Sequence, residues 1–273
     1  EPGRWANWLT STAKTKTTPP TINVPAYFYT TSGRRTTITG SWTGCVQNRL
    51  DNGIFPNNDG EGDDTVPSNG NNTRWGAFDN TVSSGCPSKM IALQSNITNV
   101  RNSIAAMTAN GWTTVNVGLA WGWRMLSPGW RGLWNDSSDP ATLPQDYKKT
   151  TKAIVLLTDG INEIGGSPVG SGNDYSGYGY ASDGNLGSTN YYTIQNTLNT
   201  RLANLCTRAK SKGIIIFTIT LEQNNSSIQT LLRNCASNPS YYFNSPSASQ
   251  LDAIFKTIGN TLQSLRYRWP GTP

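Results

Sequence analysis

Two nearly continuous apolar runs constrain the fold more than any other feature of this sequence. Residues 152–158 read KAIVLLT and residues 214–221 read IIIFTITL, as expected for parallel strands that are covered on both faces. Between them, a helical pattern at about residues 191–211 places Leu198, Leu202 and Leu205 on one face. A buried strand, a helix and a second buried strand in this order predict an α/β fold with a parallel sheet.

Further periodic segments extend this pattern on both sides. At residues 89–109, apolar residues recur at steps of three and four and predict a helix that packs one stripe against a core. We expect Ser88 to cap its start and Asn110-Gly111 to end it. Other expected elements are a helix at 117–126 ended by Ser127-Pro128-Gly129, a short helix at 227–235, a strand at 241–243 and a last helix at about 248–265.

The region before residue 89 lacks such periodicity. We treat residues 1–88 as an irregular, β-containing segment inserted in or packed on the domain, with short strands at 26–31 and 35–42. Residues 89–268 form the α/β part, and residues 269–273 form a tail. In this inventory only three strands follow residue 88, two of them strongly apolar.

Composition excludes several classes of function. The chain has no histidine, which excludes a Ser-His-Asp triad, a Cys-His pair and a His-ligated zinc site. The net charge is +6, but the basic residues are scattered and form no stripe, so we expect no nucleic-acid partner. No apolar run approaches 18 residues, so the sequence contains no predicted transmembrane segment.

Four cysteines indicate an oxidising compartment. Cys45, Cys86, Cys206 and Cys235 include no pair at CxxC spacing, and an even number in an Asn/Thr-rich chain favours two disulfides. Three connectivities are open. We predict Cys45–Cys86 and Cys206–Cys235, because each pair brackets one segment; four buried free thiols are the alternative.

Several segments together resemble a known family. The segment KAIVLLTDGINE at 152–163 is similar to the fourth-strand segment of von Willebrand factor A domains. The run GWTTVNVGLAWGWRMLSPGW at 111–130 resembles the loop and helix of the TadG-like branch, the bacterial Flp/Tad tight-adherence pilus-assembly proteins. The resemblance spans roughly residues 89–268 and, more weakly, WTGCVQNR at 42–49. It implies a von Willebrand A-like (Rossmann-like), mostly parallel sheet with flanking helices.

The same resemblance implies a metal-ion-dependent adhesion site. By motif position, Thr113 is its second-loop threonine and Asp159 its third-loop aspartate. The Asp-x-Ser-x-Ser loop that follows the family's first strand occurs nowhere in this sequence. We therefore expect the C-terminal portion of a longer protein, with the first strand absent and supplied by another segment. With two ligands left, Mg²⁺ or Ca²⁺ is expected to bind weakly or not at all to this chain alone.

We assign four further residues to binding. Asn162 and Glu163 follow Asp159 on the same loop, and Trp130 and Trp134 follow the threonine loop and its helix. Exposed tryptophan stacks on sugars or anchors protein interfaces, whereas buried tryptophan packs a helix onto its sheet. For Trp130 and Trp134 both interpretations stay open.

These features predict a non-enzymatic adhesion or assembly component of a Tad-type pilus or cell-surface system. Its partners would be pilus proteins or a segment that supplies the missing strands. It would be extracellular or periplasmic and associated with the cell envelope. One alternative is a secreted adhesin that binds a surface glycan through its Trp/Tyr/Asn-rich loops. Another is a secreted hydrolase that uses paired carboxylates such as Asp159 and Glu163.

Overall fold

The architecture of the chain is given by a computed structural model. It describes residues 21–29, 35–51, 73–79, 90–91, 93–108, 112–131, 143–165, 175–181, 184, 186–245 and 247–267. Within residues 21–79 only the backbone of the strands is described.

A three-stranded parallel sheet forms the centre of the α/β part. Its strands are β4 (Ala153–Thr158), β7 (Ile215–Leu221) and β8 (Tyr242–Ser245), in the order β4-β7-β8. Strand β4 pairs with β7 without a register shift, from Ala153 opposite Ile215 to Thr158 opposite Thr220. The two apolar runs therefore lie side by side, and the parallel sheet predicted from the sequence is confirmed.

Four helices flank this sheet. They are α2 (Val115–Leu126), α3 (Tyr191–Ser211), α4 (Ser226–Cys235) and α5 (Leu251–Tyr267). Leu119, Leu202 and Leu232 from the first three helices share one core cluster with Ile154 and Ile216 of the sheet. Helix α5 covers the other face, where its Ile258 packs with Phe217 and Ile219 of β7, both fully buried. These four helices lie within two or three residues of the positions that the periodicity predicts.

The connection between β4 and α3 contains regular structure in its described part. It contains two short paired strands, β5 (Tyr175–Ser176) and β6 (Gly179–Tyr180). Tyr178 and Leu186 from this region are buried with Ile194 and Leu198 of α3. This second core cluster anchors part of the glycine-rich loop to the domain.

The expected helix at residues 89–109 is wrong in its extent and in its packing. Helix α1 spans only Ile97–Ala105, and the side chain of Asn96, rather than Ser88, caps its start by accepting from the amide of Asn99. Ser88 and Asn110-Gly111 lie outside the described residues. No residue of α1 is buried, and Ile97 and Ile104 are 66% and 57% exposed. The apolar stripe is present, but no core element among the described residues covers it.

The N-terminal part contains more strand than predicted. Strands β1 (Thr21–Tyr29), β2 (Arg35–Asp51) and β3 (Thr73–Asp79) form an antiparallel sheet in that order. The first two overlap the predicted strands at 26–31 and 35–42, and the third was not predicted. Residues 269–273 lie outside the described part of the chain.

One of the two predicted disulfides is confirmed. Cys206 in α3 and Cys235 in α4 are bonded, with their Cα atoms 5.1 Å apart. Cys45 lies in β2, and Cys86 lies outside the described residues, so that pairing stays a prediction. None of the helices in the described part of the chain is long and apolar enough to cross a membrane.

Replacing both Cys206 and Cys235 with alanine should lower the free energy of unfolding by about 3–4 kcal/mol, because the bond closes a loop that restricts the unfolded chain. Urea denaturation followed by circular dichroism measures this loss. The exposed substitution Ser211→Ala on the same helix is the control and should leave the free energy unchanged within about 0.5 kcal/mol. A double variant that matches this control would contradict the prediction.

Candidate binding site at the carboxyl edge of the parallel sheet

The candidate site lies where the chain leaves β4. Asp159 follows the last residue of the strand and is exposed. The turn is closed by Thr158, whose Oγ1 accepts from the Gly160 amide at 3.2 Å and donates to the Gly160 carbonyl at 3.1 Å. From beyond β7, the side-chain Nε2 of Gln223 donates to the Asp159 carbonyl oxygen at 3.3 Å. The Asp159 backbone is thus held from two sides while its side chain faces solvent.

Thr113 comes from the loop before α2 and meets this turn directly. A Cβ at position 160 would lie 2.9 Å from Thr113 Oγ1, closer than side chains tolerate. Glycine at 160 therefore allows the threonine hydroxyl to lie against the backbone that follows Asp159. The Glu163 amide also donates to the Thr113 carbonyl oxygen at 2.8 Å. The structure thus brings the Thr113 and Asp159 loops into contact.

Asn162 holds the two loops in this arrangement. Its side chain is fully buried, and its Oδ1 accepts from the Val115 amide at 2.8 Å. That amide belongs to the first turn of α2, where Thr114 makes no side-chain cap, so Asn162 satisfies a donor that the helix leaves unpaired. Its Nδ2 donates to Asn199 of α3 at 3.0 Å. Our assignment of Asn162 to partner binding is corrected: its buried amide positions the site.

Glu163 is also engaged within the protein. The Tyr191 hydroxyl, at the start of α3, donates to Glu163 Oε2 at 2.6 Å. Burial raises the pKa of Tyr191 from its ordinary 10.0 to about 12, and the hydrogen bond to the Glu163 carboxylate and its charge act in the same direction. Tyr191 therefore stays protonated as a donor at neutral pH, and Glu163 joins the site loop to α3.

Trp130 is placed in the interior. It is 2% exposed and packs edge-on against Trp121, with ring centroids 5.9 Å apart. A buried indole offers no face to a ligand, so the packing interpretation replaces the binding one for this residue. Trp134 lies outside the described residues.

The tryptophans of α2, Trp121 and Trp123, both contact polar side chains. The Arg124 guanidinium lies 4.8 Å from the centroid of the Trp121 ring, and the indole nitrogen of Trp123 donates to the Tyr147 hydroxyl at 2.9 Å. The buried ammonium of Lys152 lies over the Tyr147 ring and donates to the carbonyl oxygens of Leu126 and Gln145. These contacts fasten the end of α2 to the segment that leads into β4.

Glu222, Gln223 and Asn199 at this edge were not singled out from the sequence, and the hydrogen bond made by Tyr191 was not predicted. Glu222 and Gln223 follow β7 as Asp159 follows β4. Ligands of open α/β sheets bind beyond the carboxyl ends of the strands, and this rule, applied to β7, points to both residues. Glu222 has a φ of +51°, unusual for a non-glycine residue, and its carboxylate accepts from the Ala248 amide at 3.2 Å. Tyr191 and Asn199 lie on α3. They are 28 and 37 residues from their partners on the site loop, and no sequence signal connects them with it.

Oxygen ligands at this edge are few. Across the residues that the structure describes, no three His, Cys, Asp or Glu side chains converge in a way that could hold a metal ion. Thr113 and Asp159 fit the chemistry of a hard cation but provide fewer than the six oxygen ligands that Mg²⁺ requires.

Comparison with known proteins yields one distant similarity. No family model matches the chain, and no curated protein matches it. Among solved structures, the chain is similar to the crystal structure of the pilus adhesin SpaC from Lactobacillus rhamnosus GG, at 18% identity and a TM-score of 0.36. The match covers 63% of this chain and 21% of that one, so this chain spans about a fifth of the adhesin's length.

Substituting Asn162→Leu should lower the free energy of unfolding by about 2–3 kcal/mol, because it removes two hydrogen bonds and leaves the buried Val115 amide unpaired. Asn199→Ala, which removes only the lateral bond, should cost about 1 kcal/mol. Chemical denaturation of both variants measures the difference. Equal losses would mean that Asn162 does not serve as the cap of α2.

Tyr191 should resist ionisation until about pH 12. Because its pKa is higher in the folded than in the unfolded chain, its contribution to stability is complete below the unfolded pKa of about 10 and is lost as pH rises through the folded value. The difference in absorbance at 295 nm between the wild type and Tyr191→Phe measures this ionisation. Glu163→Gln should lower the pKa, since it removes the neighbouring negative charge. Tyrosinate at Tyr191 already at pH 10 would contradict the assignment.

Proposed function

We propose that this chain is a non-enzymatic component of a bacterial cell-surface assembly, of the TadG-like pilus type. In this proposal a von Willebrand A-like domain binds a protein partner at the carboxyl edge of its parallel sheet. One observation carries the proposal: the Thr113 hydroxyl lies against Gly160, next to the exposed carboxylate of Asp159. These are the two residues that the family resemblance assigns to its adhesion site, and they come from loops more than forty residues apart.

The hydrogen bonds between the loops of this edge suit the binding of a partner. Asn162 and the Glu163–Thr113 backbone bond hold the two loops together, so a partner meets a preformed surface and pays little ordering entropy. The hydrolase alternative needs Glu163 as a second reacting carboxylate. That carboxylate already accepts the Tyr191 hydroxyl and ties the loop to α3, so no observation favours hydrolysis.

A cation has a limited role in this proposal. Thr113 and Asp159 are two oxygen donors, and a tight Mg²⁺ or Ca²⁺ site needs about six or more. We therefore propose weak or absent binding of either ion to this chain alone. The protein partner is then held by direct hydrogen bonds and ion pairs to the Asp159 carboxylate.

The disulfide supports an exported location. The bond between Cys206 and Cys235 joins two helices of the domain core, and such bonds persist in oxidising compartments. We propose an extracellular or periplasmic protein associated with the cell envelope.

A glycan-binding role is the second candidate, and one residue favours it. Tyr192 at the start of α3 is 66% exposed, and its ring meets that of Tyr191 edge-on at 5.3 Å. An exposed aromatic ring provides a surface on which a sugar ring can stack. Tyr192→Ala should abolish binding on a glycan array if this candidate is correct.

Asp159→Asn should weaken capture of pilus components from the cell envelope of the producing bacterium by about tenfold or more, because it removes the exposed charge that a partner would pair with. Affinity purification with quantitative mass spectrometry measures this effect.

The control is Asp146→Asn, which removes an equal charge from the segment that precedes β4 rather than from the loop that follows it. That carboxylate pairs with Arg131 at 2.7 Å. Capture should be unchanged in this variant. An equal loss in both variants would show a general charge effect, and unchanged capture by Asp159→Asn would sink the proposed site.

Titration calorimetry of the chain with MgCl₂ or CaCl₂ should show no binding in the micromolar range, since two protein ligands leave most of the ion's coordination to water. Micromolar affinity that disappears in Asp159→Asn would contradict this expectation.

A further inference from the structure

The chain contains five Asn-x-Ser/Thr sequences, the acceptor pattern for N-linked glycosylation. They begin at Asn71, Asn96, Asn135, Asn224 and Asn225. A chain this rich in asparagine, serine and threonine contains several such sequences by chance, so the pattern alone selects no site. The residues around each asparagine distinguish one of them.

Asn224 alone among the five has a carboxylate two positions before it. The segment reads Glu222-Gln223-Asn224-Asn225-Ser226, whereas an uncharged residue stands at that position before the other four asparagines. Bacterial oligosaccharyltransferases require an acidic residue there, which pairs with a cationic side chain of the enzyme. Asn224 therefore satisfies both the general pattern and its bacterial extension.

Asn224 is accessible in the folded protein. It is exposed in the irregular connection between β7 and α4, and its side chain makes no hydrogen bond to any residue that the structure describes. Ser226, which supplies the hydroxyl of the acceptor sequence, is exposed as the first residue of α4. The amide and the hydroxyl that a transferase contacts both lie at the surface, as expected of a modified loop.

The other two described acceptor asparagines are helix caps. Asn225 Oδ1 accepts from the Ser227 and Ile228 amides at 3.0 and 3.2 Å at the start of α4. Asn96 has the same role at the start of α1, and Asn71 and Asn135 lie outside the described residues. A capping bond holds the side chain against its helix and stabilises that helix. Asn224 caps nothing, so a large group on its amide leaves α4 undisturbed.

The carboxylate of Glu222 is also within reach of an enzyme. The residue is exposed, and its Oε1 accepts from the Ala248 amide at 3.2 Å. This bond lies at the surface, where water and other donors compete for the carboxylate. A cationic side chain of a transferase can therefore pair with it.

We propose that Asn224 is an N-glycosylation site, with Glu222 as its acidic recognition residue. The donor is an oligosaccharide linked to a polyprenyl pyrophosphate, and the catalyst is an oligosaccharyltransferase of the exporting membrane. Asn224 Nδ2 forms a bond to C1 of the first sugar while the bond from C1 to the pyrophosphate oxygen breaks. The polyprenyl pyrophosphate leaves with that electron pair, and the amide nitrogen gives up one proton. No oxidant or reductant is involved.

This inference goes beyond partner binding and rests only on the bacterial, exported location of the proposed function. Gln223, the neighbour of Asn224, donates to the Asp159 carbonyl oxygen at 3.3 Å. A glycan on Asn224 would therefore stand beside the candidate site. It would be carried by the chain itself, in contrast to a foreign glycan that stacks on Tyr192.

The test exports the full chain, behind a signal sequence, into the periplasm of a bacterial host that contains an oligosaccharyltransferase and its lipid-linked oligosaccharide. Intact-mass spectrometry counts the oligosaccharides that are added, and fragmentation of proteolytic glycopeptides locates them. A reference acceptor protein produced in the same cells shows that enzyme and donor are active.

The wild type should gain the mass of one oligosaccharide, located at Asn224. Asn224→Gln and Ser226→Ala should lose it, although both variants keep the acceptor sequence of Asn225. Glu222→Gln should also lose it, whereas Glu222→Asp keeps the carboxylate and should retain it. The matched control is Asn225→Ser, which preserves the Asn224 acceptor sequence and a capping side chain, and it should be modified as the wild type is.

A wild-type chain without added mass, in cells that modify the reference protein, would overturn the inference. A glycan on another asparagine in place of Asn224, or unchanged modification of Glu222→Gln, would overturn it as well. Mapping of the wild type needs no variant to fold. An unmodified wild type whose capture of partners is still weakened by Asp159→Asn overturns this inference alone. A glycan on Asn224 with unchanged capture by Asp159→Asn overturns only the proposed function.

Discussion

The amide side chain of Asn162 joins three parts of the molecule: the loop after β4, the first turn of α2 and the side of α3. Burying an amide without hydrogen bonds would cost several kcal/mol of folding free energy. The two bonds of Asn162 therefore favour the arrangement in which the loop, α2 and α3 lie next to one another. The Thr113 loop lies against the turn after Asp159, where its side chain meets Gly160 and its carbonyl oxygen accepts from the Glu163 amide. The arrangement of the edge follows from this buried connection.

The parallel sheet beneath the edge is only partly enclosed. On one side, α2, α3 and α4 bury the sheet, and the disulfide between Cys206 and Cys235 joins two of these helices. On the other side, α5 buries β7 but leaves Val155 and Leu157 of β4 open. Helices therefore pack on both faces of the sheet, but their cover over β4 is incomplete, and Val155 and Leu157 stay partly exposed.

Elements with strong local patterns were predictable from the sequence. The two apolar strands, the long helix at 191–211 and the terminator at Ser127-Pro128-Gly129 appear where periodicity and turn chemistry place them. The contact between the Thr113 loop and the turn after Asp159 agrees with the motif order of the resemblance, and the role of the two residues in binding stays a prediction. The contacts of Tyr191 and Asn199 were not predictable, because nothing in the local sequence connects a helix residue with a distant loop.

Sequence alone determined the parallel α/β character, because an uninterrupted aliphatic run gains most from burial on both faces. It also determined the absence of histidine chemistry, since no histidine is present. Tertiary structure decided which apolar residues are covered. Trp130 is buried, whereas Ile97 and Val155 are exposed, although all three suit a core. It decided as well that Asn162 caps α2 rather than facing a partner. Burial and hydrogen-bond pairing depend on what the chain brings together over long separations, and local periodicity carries no information about that.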